Sequence, residues 1–232
     1  MKRVFVTGTN RGIGLEFVRQ YLARGDRLFA TCRRLDMAAD LQALAAAYPD
    51  RLTICHLILT DQRSIAASHD LVAGMVDGLD VLINNAGYYA KRERLGNLSA
   101  ESIIDVFAVN SVAPLMIAQA YLDLLRAGER PRIVNITSQM GSLARKRSGG
   151  DYSYCASKAA LNMLTRALAF DVQRLGITTV MMHPGWVKTD MGGAGAPLAP
   201  EEAVRGMIQV IDQLQPGDAG RFLQWDGREL PW

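Results

Sequence analysis

Seven short apolar runs recur along this chain, and helical patterns fill the intervals between them. The runs fall at residues 4–6, 28–32, 52–59, 80–83, 132–136, 177–182 and 221–225. They are nearly continuous in hydrophobicity rather than alternating, which is the pattern of strands buried on both faces. Residues 13–23, 37–47, 65–76, 99–126, 154–175 and 201–214 carry helical patterns, with one or two helices in 99–126. Gly176 supplies the stop of the strongest helix. Alternation of this kind predicts an α/β fold. We expect a single doubly wound domain over 1–232, with a seven-stranded, mostly parallel sheet and helices on both faces.

Composition narrows the function classes. The 232 residues carry a formal net charge of +3, too near neutral for a nucleic-acid binder, and no basic tail is present. No apolar stretch approaches the ~20 residues of a membrane span, so no membrane partner is expected. The basic start, Met1-Lys2-Arg3, leads into only a short apolar run before glycines, unlike a secretory signal. Cys32, Cys55 and Cys155 form no CxxC pair, which fits a reducing cytoplasm. The three histidines, His56, His69 and His183, show no metal-ligand spacing, so no metal is expected. His56 reads as a satisfied core or edge residue.

The first run leads directly into Thr7-Gly8-Thr9-Asn10-Arg11-Gly12-Ile13-Gly14. Gly8 allows a sharp turn, Gly12 lets backbone approach a pyrophosphate, and Gly14 lets the following helix lie close on the sheet. The helix N-terminus then offers free N–H groups and a positive dipole end to phosphates. The spacing is G-x-x-x-G-x-G rather than G-x-G-x-x-G, so alone it also describes a tight strand-to-helix turn.

Tyr154 and Lys158 stand four apart in a helical pattern, so phenol and ammonium share a face. A nearby cation favours the phenolate, which makes a proton donor usable near neutral pH. Ser138 lies just beyond the run at 132–136, and Asn84-Asn85-Ala86-Gly87 just beyond the run at 80–83. Ligands of open α/β sheets bind at that strand edge. Asn110 lies inside a helical region, where Asn is a poor helix former. Each residue has a plain structural explanation. Together they gather a hydroxyl, a phenol, an amine and amides beside a phosphate turn.

These motifs, with Pro184-Gly185-x-Val187-x-Thr189, resemble the classical short-chain dehydrogenase/reductase family over nearly the whole chain. Residues 137–142, 157–163, 183–193 and 226–232 are most similar to its C-factor and sniffer-like carbonyl reductase branch. The resemblance implies an oxidoreductase that interconverts a carbonyl and an alcohol. Tyr154 would then donate the proton, and Ser138 would hydrogen-bond the carbonyl oxygen. Lys158 would lower the Tyr154 pKa and bind the nicotinamide ribose. Asn110 would hold a water linking Lys158 to solvent. Gly8, Asn10, Arg11, Gly12, Ile13 and Gly14 would hold the phosphates. Asn84, Ala86 and Gly87 would line the adenosine side and support the central strand. Pro184, Gly185, Val187 and Thr189 would contact the nicotinamide, and residues 184–200 would form a substrate lid. Family members commonly self-associate through the Tyr-bearing helix and the one before it, which implies a dimer.

The chain departs from the family twice. Ile58 falls where an adenine-contacting Asp is common, and the interval between Ser138 and Tyr154 is slightly long, with the extra residues near 145–150. The run at 28–32 is followed by Arg33 and Arg34, with no acidic residue before Asp36. An acid there would suit a ribose 2′-hydroxyl, whereas a cation suits a 2′-phosphate. Arg33 and Arg11 therefore point to NADP, with NAD the alternative. Tyr88, Tyr89, Met140, Trp186 and Met191 are candidates for an apolar substrate wall. The rival reading is an NAD(P)-binding developmental or redox signalling protein of C-factor type, with incidental turnover.

Overall fold

The computed structural model describes residues 1–91 and 93–232. Its strands are β1 (Arg3–Val6), β2 (Arg27–Cys32), β3 (Leu52–His56), β4 (Val81–Asn84), β5 (Arg132–Ile136), β6 (Thr178–His183) and β7 (Phe222–Gln224). They form one sheet in the order β3-β2-β1-β4-β5-β6-β7. Every pairing between these strands is parallel, not merely most of them. The order reverses between β1 and β4, both of which flank the glycine turn. A crevice at the carboxyl ends of strands opens at such a point.

Helix α1 (Gly12–Ala23), α2 (Ala39–Ala47) and α8 (Pro200–Gln213) cover one face; α3 (Gln62–Ala73), α5 (Ala113–Ala120), α6 (Leu122–Arg126) and α7 (Tyr152–Gln173) cover the other. The division follows from strand pleating. Val4 and Val6 pack with Phe17, Val204 and Met207, whereas Phe5 between them packs with Ile117, Tyr121 and Val172. A continuous apolar strand thus feeds two cores.

Four sequence expectations change. β3 ends at His56, not 59, because the chain leaves the sheet: the Ile58 N–H donates to the Ser64 hydroxyl at 2.9 Å. His56 is exposed on this edge strand. The 99–126 region holds α4 (Ala100–Phe107), a π-helical turn (Ala108–Val112), α5 and α6, rather than one or two helices. The stretch Ala100–Ala120 also reaches 21 residues of high mean hydropathy, 1.6, contrary to the expectation that no apolar stretch is long enough to span a membrane. In the fold this stretch packs against α3 and α7 and encloses Asn110. Fourth, α7 begins at Tyr152, two residues early.

Candidate active site

The glycine turn is built from contacts that exclude side chains. A Cβ on Gly14 would lie 2.1 Å from the Gly8 carbonyl oxygen, and one on Gly8 would lie 2.8 Å from Ala86. Gly8 also adopts a φ of +69°, a region open mainly to glycine. Thr7 and Asn85 brace this turn. The Thr7 hydroxyl accepts from the N–H groups of Asn85 and Ala86, both at 3.0 Å. The Asn85 amide donates to the carbonyls of Thr7 and Gly8 at 2.9 and 3.1 Å. Helix α1 has no side-chain cap and no acidic residue in its first turn. Its N-terminus is therefore electropositive, with N–H groups left for an anion. These residues fit a dinucleotide pyrophosphate.

Arg33 is exposed past the end of β2 and has no partner among the described residues, whereas Arg34 pairs with Asp36 at 2.9 Å. Arg11 reaches the other way, to Asp190 at 3.0 Å, both side chains being well exposed. Asp61 caps α3 by accepting the Arg63 N–H at 2.9 Å. Its carboxylate is thus engaged locally at the start of α3. Asn84 turns inward, its amide donating to the Asn135 side chain at 2.8 Å across β4 and β5. The structure gives it the strand-supporting half of its expected role, while Ala86 and Gly87 stay near the edge.

On the same edge, β5 delivers Ser138 and α7 delivers Tyr154 and Lys158. Ser138 is buried, accepts the Met140 N–H at 3.1 Å, and is the hydrogen-bond partner that pulls the Tyr154 pKa down. Burial outweighs that pull and pushes the phenol up to about 12. The Lys158 ammonium lies 5.9 Å from the Tyr154 ring centroid. Its hydrogen bond runs instead to the Ile136 carbonyl oxygen at 2.8 Å, and burial pulls it down to about 8. Ser138 is the neighbour that opposes burial at the phenol.

Asn110 is fully buried in the π-helical turn. Its side chain accepts from the Tyr88 N–H at 2.7 Å and donates to the Tyr88 carbonyl and the Ser157 hydroxyl at 2.8 and 3.0 Å. It ties the segment following β4 to α7. π turns of this type frequently occur at functional sites.

Several contacts around Tyr154 had no sequence signal. Tyr89 packs its ring 4.9 Å from that of Tyr154 and donates its hydroxyl to Asp151 at 2.7 Å. Asp151 adopts a left-handed φ of 52° at the start of α7 and offers no side-chain cap. Glu93, buried, accepts the Ser153 N–H at 2.8 Å and places its charge at the helix N-terminus instead. None of these distant partners is visible in local spacing.

Residues 184–200 run beside the glycine turn. Val187 and Leu198 form a bridge at their base, and the Trp186 indole donates to the Gly192 carbonyl at 2.8 Å. A Cβ on Gly12 would lie 3.3 Å from Thr189, which shows how closely this segment approaches the glycine turn. Tyr88, Met140, Trp186 and Met191 are all exposed, so they are not core residues. A cavity of about 380 Å³ adjoins this segment, lined among others by Gln139, His183, Trp186, Glu202 and Trp225. Among the described residues, no cluster of His, Cys, Asp or Glu could hold a metal.

The comparisons agree with this geometry. The chain is 46% identical over 154 residues to the C-signal of Myxococcus xanthus, covering 66% of this chain and 93% of that protein. An NADPH-bound carbonyl reductase from chicken fatty liver superimposes with a TM-score of 0.95 at 39% identity, covering 100% of this chain and 99% of that one. The carbonyl reductase Sniffer of D. melanogaster does so with a TM-score of 0.97 at 34% identity, over 100% of each chain. The short chain dehydrogenase family matches residues 2–196, a span that includes the glycine turn, Ser138, Tyr154 and Lys158. A match of that extent, on a fold shared end to end with solved carbonyl reductases, places this chain in the short chain dehydrogenase family.

Proposed function

We propose that the protein is an NADP(H)-dependent carbonyl reductase, interconverting a carbonyl and an alcohol. The observation that carries this reading is the convergence of Ser138, Tyr154 and buried Lys158 on one strand edge beside an uncapped helix N-terminus. The nicotinamide supplies the hydride when bound. Tyr154 holds the transferable proton, and a phenol pushed up to about 12 keeps it at neutral pH. Ser138 donates to the carbonyl oxygen as negative charge develops there. Lys158 keeps a cation beneath that oxygen and orients the ribose. Gly8, Asn10, Arg11, Gly12, Ile13 and Gly14 hold the pyrophosphate, Arg33 the 2′-phosphate, and Pro184, Gly185, Val187 and Thr189 the nicotinamide end. The exposed rings and thioethers of Tyr88, Met140, Trp186 and Met191 support an apolar substrate wall.

The test is NADPH oxidation with a panel of aldehydes, ketones and quinones. Tyr154→Phe keeps the ring and removes the proton. Turnover should fall by at least ~10²-fold with cofactor affinity nearly unchanged. Equal activity in a folded Tyr154→Phe variant would overturn the mechanism.

The likeness to a C-signal favours a second reading, in which the chain binds NAD(P) as a signalling protein and turns over incidentally. The complete Ser138, Tyr154, Lys158 arrangement argues for the enzyme, since a sensor has no use for a proton donor. We also propose a homodimer. Ile104, Val112, Met163 and Phe170 expose apolar side chains on α4, the π turn and α7. Phe170→Glu should reduce the mass in light scattering from two chains to one.

A further inference from the structure

The segment that follows β7 does not end its role in the sheet. The chain turns at Gly227 with a φ of +87°, and Glu229 forms an antiparallel bridge back to Leu223. The Leu230 N–H donates to the Phe222 carbonyl at 2.8 Å, and Leu230 joins a small buried cluster with Met181 and Phe222. The next two residues leave β7 and cross to another element. The Pro231 carbonyl accepts the Ser142 hydroxyl at 2.7 Å, and the Trp232 carbonyl accepts the Ala144 N–H at 2.7 Å. The Trp232 ring is anchored from two sides. Its centroid lies 5.8 Å from that of Phe222, and the Arg166 guanidinium of α7 sits 5.1 Å above it.

What these contacts hold is the segment that carries Ser138. After Ser138 the chain makes two short 3-10 turns, Gln139–Gly141 and Leu143–Arg145. Their inner side rests on α7: a Cβ on Gly141 would lie 2.8 Å from the Lys158 carbonyl carbon. Their outer side is met by Pro231 and Trp232. Ser142, between the two turns, is buried. Short 3-10 turns have poor internal hydrogen-bond geometry and do not fix their own position. External bonds are needed to hold such a segment to the sub-ångström tolerance of a proton-transfer site.

We propose that Pro231 and Trp232 form a strap that clamps the 138–145 segment against α7, making Ser142 and Trp232 positioning residues for Ser138. This rests on the reading of Ser138 as the donor to the substrate oxygen. The strap touches no residue assigned to the cofactor, so its loss should misplace Ser138 while leaving cofactor binding intact.

The test compares Trp232→Ala, Ser142→Ala and Trp232→Phe in the full chain. Three measurements are made: NADPH affinity, the single-turnover rate constant of NADPH oxidation by an accepted carbonyl, and amide exchange at Ala144 and Gly141. The rate constant is read per bound complex, so a smaller folded fraction does not lower it. Both alanine variants should slow it on the order of tenfold. NADPH affinity should stay within about twofold, and exchange at Ala144 should rise. Trp232→Phe keeps a ring between Phe222 and Arg166 and should restore most of the rate. An unchanged rate constant in Trp232→Ala, or matched losses of rate and NADPH affinity, would overturn the strap. Were no carbonyl reduced by the unsubstituted protein, the functional reading would fail. Exchange at Ala144 and Gly141 would still decide the clamp: faster exchange in Trp232→Ala would support it, and unchanged exchange would remove it.

Discussion

The ammonium of Lys158 reaches from α7 to the carbonyl oxygen of Ile136, 2.8 Å away, at the end of β5. One bond thereby fixes the cation beside the strand that delivers Ser138. Burial at this place holds Lys158 down at about 8, well below an ordinary lysine. The charged form is therefore the one that is lost first as pH rises. In the proposed reaction, reduction needs the cation and the protonated Tyr154 together, and Tyr154 stays protonated up to about 12. We expect kcat/KM for reduction to be flat below the Lys158 value and to fall as pH rises through about 8. The measurement is a pH series with NADPH and one carbonyl. A profile still flat well above that value would remove Lys158 as the titrating group.

Among the described residues Arg33 has no partner past β2, while Arg34 is engaged with Asp36. Arg33→Asp should raise the NADPH Kd by roughly 10–100-fold, the size of one lost charge-assisted hydrogen bond. NADH binding should change far less. Titration with both cofactors decides it, and equal losses would take Arg33 out of the 2′-phosphate site.

The segment 184–200 is latched to the glycine turn by the Arg11–Asp190 pair at 3.0 Å. Exposed pairs of this type contribute ~0–1 kcal/mol, so the latch opens easily. Asp190→Asn should leave thermal stability almost unchanged and speed amide exchange in residues 188–197. Bound NADPH should slow that exchange in both proteins through Val187 and Thr189. Exchange that ignores the cofactor would exclude a lid.

His183 is buried at the end of β6, and its Nδ1 has no hydrogen-bond partner among the described residues. Burial, helped by nearby Arg145 and opposed by Asp226, lowers its pKa from 6.5 to about 4. The unfolded chain then binds a proton more readily than the native one between those values. Stability should therefore fall as pH drops from 6.5 to about 4. The loss should be on the order of 3 kcal/mol. His183→Phe should flatten this part of the curve in urea unfolding across the window. A variant with the same acid slope would assign the loss to other groups.

The sequence by itself determined the layering and marked the candidate site. Near-continuous apolar runs require strands buried twice, and helical intervals force parallel crossovers. The glycines are legible because only glycine tolerates a contact such as that of Gly14 with the Gly8 carbonyl. Tyr154 and Lys158 are legible because four residues make one helical turn. Residues whose partners lie far along the chain were decided by the tertiary structure. Asn84 points inward because β4 and β5 bring Asn135 opposite it. Ser138 lowers the Tyr154 phenol from a separate element, a contact that only the tertiary arrangement sets. Glu93 reaches the α7 N-terminus, and Trp232 reaches Ala144, across separations that no local pattern records. Spacing encodes what one helix or strand presents to its surroundings, whereas hydrogen bonds between elements exist only once the sheet order has set which elements meet.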